Sequence, residues 1–251
     1  MKAFFKGMAV VISALSMTNI YAADLSVPTH SSLEVQADPA LTKLLPVNIT
    51  QRGYVVAATN PNTPPTTFFE KDNRTLAGRE IDVMNAIGER LGLKVQWRDS
   101  GGFDNIIPGL MTGRYDVALS NINATKTRLK LVDFVSYYDA SRLGVISLKS
   151  SNIAPFTSFD ALCGQTVGAG AGTTQITRLE TAGKQCQAEG KKTIQVAVFP
   201  DRPSGVQAVV SGRVPLFIGP YEGLTWQVKQ IEPSGRAPCR ASVYISVVSL
   251  S

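Results

Sequence analysis

Two hydrophobic periods run along the chain, and one stretch holds both in succession. Between Gly101 and Phe134 (GGFDNIIPGLMTGRYDVALSNINATKTRLKLVDF), Phe103, Ile106, Ile107, Leu110 and Met111 follow the i, i+3, i+4, i+7, i+8 spacing of one helix face. Asp104 is the expected N-cap, Pro108 falls near the first turn where a missing N–H costs least, and Gly113 is the expected left-handed end. The pattern then shortens to Tyr115–Ser120, an apolar run of the length of a buried parallel strand. Beyond it, Ser120, Asn121, Asn123 and Thr125 bring polar side chains and backbone N–H groups to the carboxyl end of a strand, where open α/β sheets bind ligands. Arg128 follows in the first turn of a short helix that Thr125 would cap, and a planar guanidinium there suits a carboxylate. The plainer alternative for Arg128 is a solvated surface charge.

The same alternation organises the rest. Asp38-Pro39 gives an N-cap followed by proline at the first helical position, with Leu41, Leu44 and Leu45 behind it. Tyr54–Thr59 reads as a strand, 60–65 as a rigid loop, Ile81, Val83, Met84, Ile87 and Leu91 as a helix face closed by Gly92, and Leu93–Trp97 as the next strand. Together with the stretch above this is β-α-β-α-β, hence a mainly parallel sheet with right-handed crossovers. The second half repeats the plan: strands at Arg142–Leu148, Thr166–Gly168 and Ile194–Phe199, a helix from Thr174, and a helix ending at Gly212. GLMTGRYDVALS at 109–120 lies in register over AVVSGRVPLFIG at 208–219. Two similar α/β lobes with a cleft between them follow from this long period. The expected divisions are 23–50 for a lead and short helix, 51–142 for lobe 1, 143–150 for a hinge crossover and 151–236 for lobe 2.

Composition narrows the class. At 251 residues and 44% hydrophobic, the chain can bury the cores of two lobes. Residues 1–22 read as a cleaved signal peptide: Lys2 and Lys6, an apolar core from Met8 to Leu15 too short to span a bilayer, and Ile20-Tyr21-Ala22 as the cleavage site. No cysteine follows that core directly, so a soluble periplasmic protein is expected. Loss of Lys2 and Lys6 lowers the formal charge from +6 to +4. Spread over many short segments without a basic run, that charge gives no footprint for nucleic acid. Export permits disulfides, and Cys163 with Cys186 is read as one, the alternative being two buried thiols; Cys239 is left over.

Candidate chemistry is sparse. The only histidine is His30, in the polar lead, so no Ser-His-Asp or Cys-His set is available. Zinc spacing is absent from the one histidine and three cysteines. Gly168–Thr174 supplies Gly-x-Gly-x-Gly, not the Gly-x-Gly-x-x-Gly of dinucleotide sites. No cofactor and no metal are therefore expected.

The segment FDNIIPGLMTGRYDVALSNINATKTRLKLVDF resembles the signature region of family 3 of the extracytoplasmic solute-binding proteins, the polar amino-acid receptors of ABC importers. The likeness runs from about Asp38 to about Gln230. It implies a type II periplasmic-binding fold, a monomer, a small amino acid or related carboxylate as ligand, and a membrane permease as partner. It implies no enzymatic activity, the alternative being an exported enzyme of cyclohexadienyl dehydratase type on the same scaffold. Carried over by position, Arg128 grips the ligand carboxylate, with Ser120, Asn121 and Asn123 in the loop beside it. Phe103 is the aromatic before Asp, Asn60 belongs to the loop after the first strand, and Thr173 and Thr174 open the helix that receives the carboxylate from lobe 2. The sequence departs from the pattern at Thr63 and Thr66, where aromatics wall the site and Phe68 and Phe69 partly substitute. It departs again at Pro220, where an Asp holds the ligand ammonium and Glu222 is the nearest carboxylate. Residues 237–251 stand where the family returns to lobe 1, and read as a truncated or frame-shifted return segment.

Overall fold

A computed structural model describes residues 28–29, 33–137, 142–148, 151, 156 and 158–231. The signal segment, most of the lead, Cys239 and residues 237–251 lie outside the described residues. In chain order the elements are α1 (Pro39–Thr42), α2 (Val47–Arg52), β1 (Tyr54–Thr59), β2 (Asn62–Thr63), β3 (Thr67–Phe69), β4 (Leu76–Ala77), α3 (Arg79–Leu91), β5 (Lys94–Asp99), α4 (Ile106–Met111) and β6 (Val117–Ala118). The second half adds β7 (Leu143–Ile146), β8 (Thr166–Gly170), α5 (Thr174–Ala188), β9 (Gln195–Phe199), α6 (Arg202–Val210), β10 (Leu216–Pro220) and α7 (Tyr221–Ile231).

Lobe 1 is built on a parallel sheet of order β5-β1-β6. Its core joins Val55, Ala57, Ile81, Met84, Trp97 and Leu119, the apolar stripe of α3 closing over alternate residues of β1 and β5. Trp97 is fully buried, and its indole N–H donates to Asn85 Oδ1 at 2.9 Å, which removes the cost of enclosing that donor. Asp38 caps α1 by accepting from the N–H of Ala40 at 2.9 Å, as the Asp-Pro pair predicts.

Lobe 2 carries a sheet of order β7-β10-β8-β9, parallel except for β7. One face packs Val167, Leu216 and Ile218 against Leu179 and Cys186 of α5. The other packs Phe199 and Phe217 against Val206, Val209, Leu224 and Val228 of α6 and α7. Cys163 and Cys186 have their sulfur atoms 2.01 Å apart, tying the turn before β8 to α5.

The repeat seen in the letters recurs in the hydrogen bonds. After α4, the N–H of Gly113 donates to Leu110 O and that of Arg114 to Gly109 O; after α6, Gly212 donates to Val209 O and Arg213 to Ala208 O. Both glycines sit at positive φ, 70° and 72°, the left-handed turn that brings each helix back into its sheet.

Two expectations need correction. Asp104 does not cap α4: a 3-10 turn, Phe103–Asn105, precedes the helix, and neither start has a side-chain cap. The tighter turn ends at Asn105, so the helix begins later than the apolar spacing suggests. Residues 60–65 are not only a loop, because β2 pairs antiparallel with β3, and β3 with β4, in a small second sheet of lobe 1. Strands of two or three residues carry too little period to be read. The strand expected at Arg142–Leu148 is present as β7, which pairs with β10 at the edge of the lobe 2 sheet.

Candidate functional site

The carboxyl ends of β1, β6, β8, β9 and β10 converge where the lobes meet. They enclose a cavity of about 70 Å³, against the roughly 10–15 Å³ that one water requires. Each strand delivers its lining by ending there: β1 supplies Asn60, β6 Ser120 and Asn121, β8 Gly170 and Ala171, β9 Pro200–Arg202, and β10 Gly219 and Pro220.

On the lobe 1 side the backbone is fixed by its own side chains. Ser120, 2% exposed, accepts the N–H of Asn60 on Oγ at 3.0 Å. The carbonyl of Asn60 in turn accepts from the hydroxyl of Thr67 at 2.6 Å. Asn121 adopts φ +52°, one of the few non-glycine residues to tolerate that region. That turn directs the chain away from β6 toward Asn123 and Arg128.

Arg128 is the hub. Its backbone N–H donates to Thr125 Oγ1 at 3.2 Å, the local cap expected from sequence. Its guanidinium donates to Asn123 O at 3.0 Å within lobe 1 and to Gly172 O at 2.9 Å in lobe 2. It also lies 5.5 Å from the centre of the Phe103 ring, within cation–π range. Burial draws its pKa below the usual arginine value, yet a guanidinium stays charged. Two of its five N–H donors are engaged by these carbonyls. The fork therefore binds both lobes while facing the cavity.

From lobe 2, Thr173 occupies the N-cap position of α5, its hydroxyl turned back to Gly170 O at 2.7 Å. Thr174 Oγ1 accepts from Asn123 Nδ2 at 3.1 Å, a second bond between the lobes. Gly172, at φ +69°, has room for no side chain: a Cβ there would stand 2.7 Å from Cβ and 2.9 Å from Cα of Asp104. The glycine-rich turn thus serves a close backbone approach between lobes.

Of the residues singled out from sequence, Asn60, Phe103, Ser120, Asn121, Asn123, Arg128, Thr173 and Thr174 come together on the cavity. Phe68 and Glu222 do not. Phe68 packs on Trp226 of α7, ring centres 6.0 Å apart, and Glu222 takes two 3.2 Å bonds from Arg79. Both are contacts between the lobes, beside the cavity. Near them Tyr137 donates its hydroxyl to the buried Glu80, and burial first, then this carboxylate, raises the Tyr137 pKa. Sequence reading missed Gln175, Asp201 and Arg202 in the lining. The rule that selected Ser120, that ligands meet the carboxyl ends of strands, points equally to the residues after β9. A wider cleft of about 750 Å³ lies on the other side of Arg128, lined also by Phe134, Tyr137 and Leu143.

A family profile described as bacterial extracellular solute-binding proteins, family 3, matches residues 55–234. The arginine-binding protein ArgT of Corynebacterium glutamicum is 24% identical over 209 residues, 83% of this chain and 66% of that protein. A probable histidine-binding protein of Campylobacter jejuni is 29% identical over 153 residues, 61% of this chain and 57% of that one. The chain thus spans less than two thirds of the length of these curated relatives. Among solved structures, an ancestral arginine-binding protein bound to arginine superposes with a TM-score of 0.65 at 28% identity, covering 73% of this chain and 76% of that one.

Proposed function

The chain belongs to family 3 of the bacterial extracellular solute-binding proteins, and from that premise we propose that it is the receptor of an ABC importer. It captures a small carboxylate-bearing ligand, an amino acid or a related acid, in the periplasm and presents it to a membrane permease. The observation that carries this reading is Arg128, whose guanidinium faces the cavity beside the N-terminus of α5 and bonds both lobes. A ligand carboxylate entering between the lobes meets a fork-shaped donor of matching geometry and the positive end of a 15-residue helix. Closure removes the pair from water, so the contact strengthens as the lobes meet.

Binding without turnover is the chemistry this lining suits. Asp201 is the one carboxylate among the described lining residues, and its Oδ1 accepts the N–H of Ser204 at 2.8 Å to cap α6. The test is calorimetry on the folded protein with a panel of amino acids and small carboxylates, together with product analysis. Stoichiometric binding with the ligand recovered unchanged is expected; a ligand converted to product would replace this reading by an exported dehydratase-type enzyme, and a folded protein that binds nothing would remove it.

A further inference from the structure

We propose that Arg202 is a second anion-binding group of the cavity, and that the ligand is a small dicarboxylate in preference to a cationic amino acid. The inference rests on the cavity being the ligand site, as argued above, and extends it to the charge of the ligand.

The charged groups among the described lining residues are Arg128, Arg202 and Asp201. Within the lining, two cations stand against one anion, an excess of one positive charge. Asp201 is already committed, since one of its oxygens holds the N–H of Ser204 at the start of α6. Pro220, which ends β10 on the cavity wall, adds an apolar ring and no acid that could hold an ammonium.

Arg202 is positioned to use the surplus. Its guanidinium lies against Gly223, where a Cβ would come within 1.9 Å of Nη1, so its place is set by packing. Its bond to Pro64 O, at 3.5 Å, is at the limit of hydrogen-bond length. The acid it senses is Glu222, and that carboxylate is held by two bonds from Arg79. Burial lowers the Arg202 pKa to about 10, with Glu222 opposing the shift, so the group is cationic at neutral pH and shares Glu222 with Arg79. Enclosing such a charge is costly unless an anion meets it.

Ligand charge then decides the balance. A zwitterionic amino acid placed with its carboxylate on Arg128 leaves the surplus untouched, and a cationic side chain increases it. A second carboxylate reaching Arg202 cancels it. The arginine and histidine named for relatives are therefore poor matches for this cavity, although the fold is shared.

The experiment is equilibrium binding of glutarate, butyrate, L-glutamate and L-arginine to wild type, Arg202→Gln and Arg202→Lys, with melting curves to confirm folding. Wild type should bind glutarate about tenfold or more tightly than butyrate, as a desolvated charge pair warrants, and L-glutamate more tightly than L-arginine. Arg202→Gln should bring the glutarate-to-butyrate ratio close to one, and Arg202→Lys should keep most of the ratio. A wild-type ratio near one, a ratio unchanged in Arg202→Gln, or tightest binding of L-arginine would overturn the role of Arg202. If butyrate binds and that binding needs Arg128 while the ratio is one, the receptor reading stands and this inference alone falls; if none of the four binds to folded protein, both fall. Should Arg202→Gln not fold, the wild-type ratio and the lysine variant still decide.

Discussion

Gly172 and Asp104 stand on opposite lobes with their backbones so close that a single methyl group at position 172 would lie 2.7 Å from Asp104 Cβ. Closure of the cavity is therefore conditional on glycine at this site, for two separate reasons. The backbone has φ +69°, which costs other residues about 1–2 kcal/mol, and the space for a side chain exists only when the lobes are apart. Gly172→Ala should lower folding stability by about 1 kcal/mol and weaken ligand binding by a larger factor. Small-angle scattering should show the variant remaining expanded in the presence of ligand. Adding Asp104→Gly should recover only part of the affinity, because Asp104 Cα would still be 2.9 Å away; full recovery would mean that the side chain of Asp104 is the only obstacle.

Arg128 joins the lobes and faces the cavity. Truncating one partner of a desolvated charge pair costs about 2–5 kcal/mol. At about 1.4 kcal/mol per decade, Arg128→Ala should lose roughly one and a half to three and a half decades of affinity. Arg128→Lys should restore only a fraction, since a point charge cannot reproduce the fork. Isotherms of wild type and both variants with one carboxylate ligand check this, and wild-type affinity in Arg128→Ala would move the carboxylate site elsewhere.

The Arg79–Glu222 bridge crosses the lobes with both side chains about a third exposed, 32% and 31%. Pairs of that exposure contribute about 0.2–1 kcal/mol and are screened by salt. Arg79→Gln should therefore weaken ligand binding no more than about fivefold. Its affinity should also depend less on ionic strength than that of wild type; an undiminished salt dependence would show that this bridge does not contribute to closure.

The link between Cys163 and Cys186 closes a loop with a sequence separation of 23, and Cys186 is buried in the lobe 2 core. Replacing both by alanine should cost about 2–4 kcal/mol of lobe 2 stability, by a mechanism that is model-dependent. Urea unfolding of oxidised protein and of the double variant measures it, and peptide mapping without reduction identifies the pair. Two alkylatable thiols in exported protein would refute the link.

Local physics made much of this legible in the letters. The apolar faces around Ile106 and Ile81 announced helices, and Gly113 and Gly212 announced the turns that end them, because a helix face and a left-handed turn are set by residues a few positions apart. The register between 109–120 and 208–219 carried over to equivalent hydrogen bonds for the same reason. The place of Ser120 and Arg128 beside the cavity could be expected in advance because the end of a strand is a local feature with a known place in an α/β lobe.

Contacts between the lobes were decided by the tertiary structure alone. Nothing near Gly172 in sequence specifies Asp104, nothing near Glu222 specifies Arg79, and nothing near Phe68 specifies Trp226, because each partner lies on the other lobe. Arg202 belongs to the same class. In sequence it is one charge among 25 lysines and arginines, and only the docking of α6 against Gly223 and Pro64 partly buries it and places it in the cavity lining. Sequence fixes which side chains each lobe can offer, whereas burial, and with it the strength of every charge in the cleft, depends on how the two lobes meet.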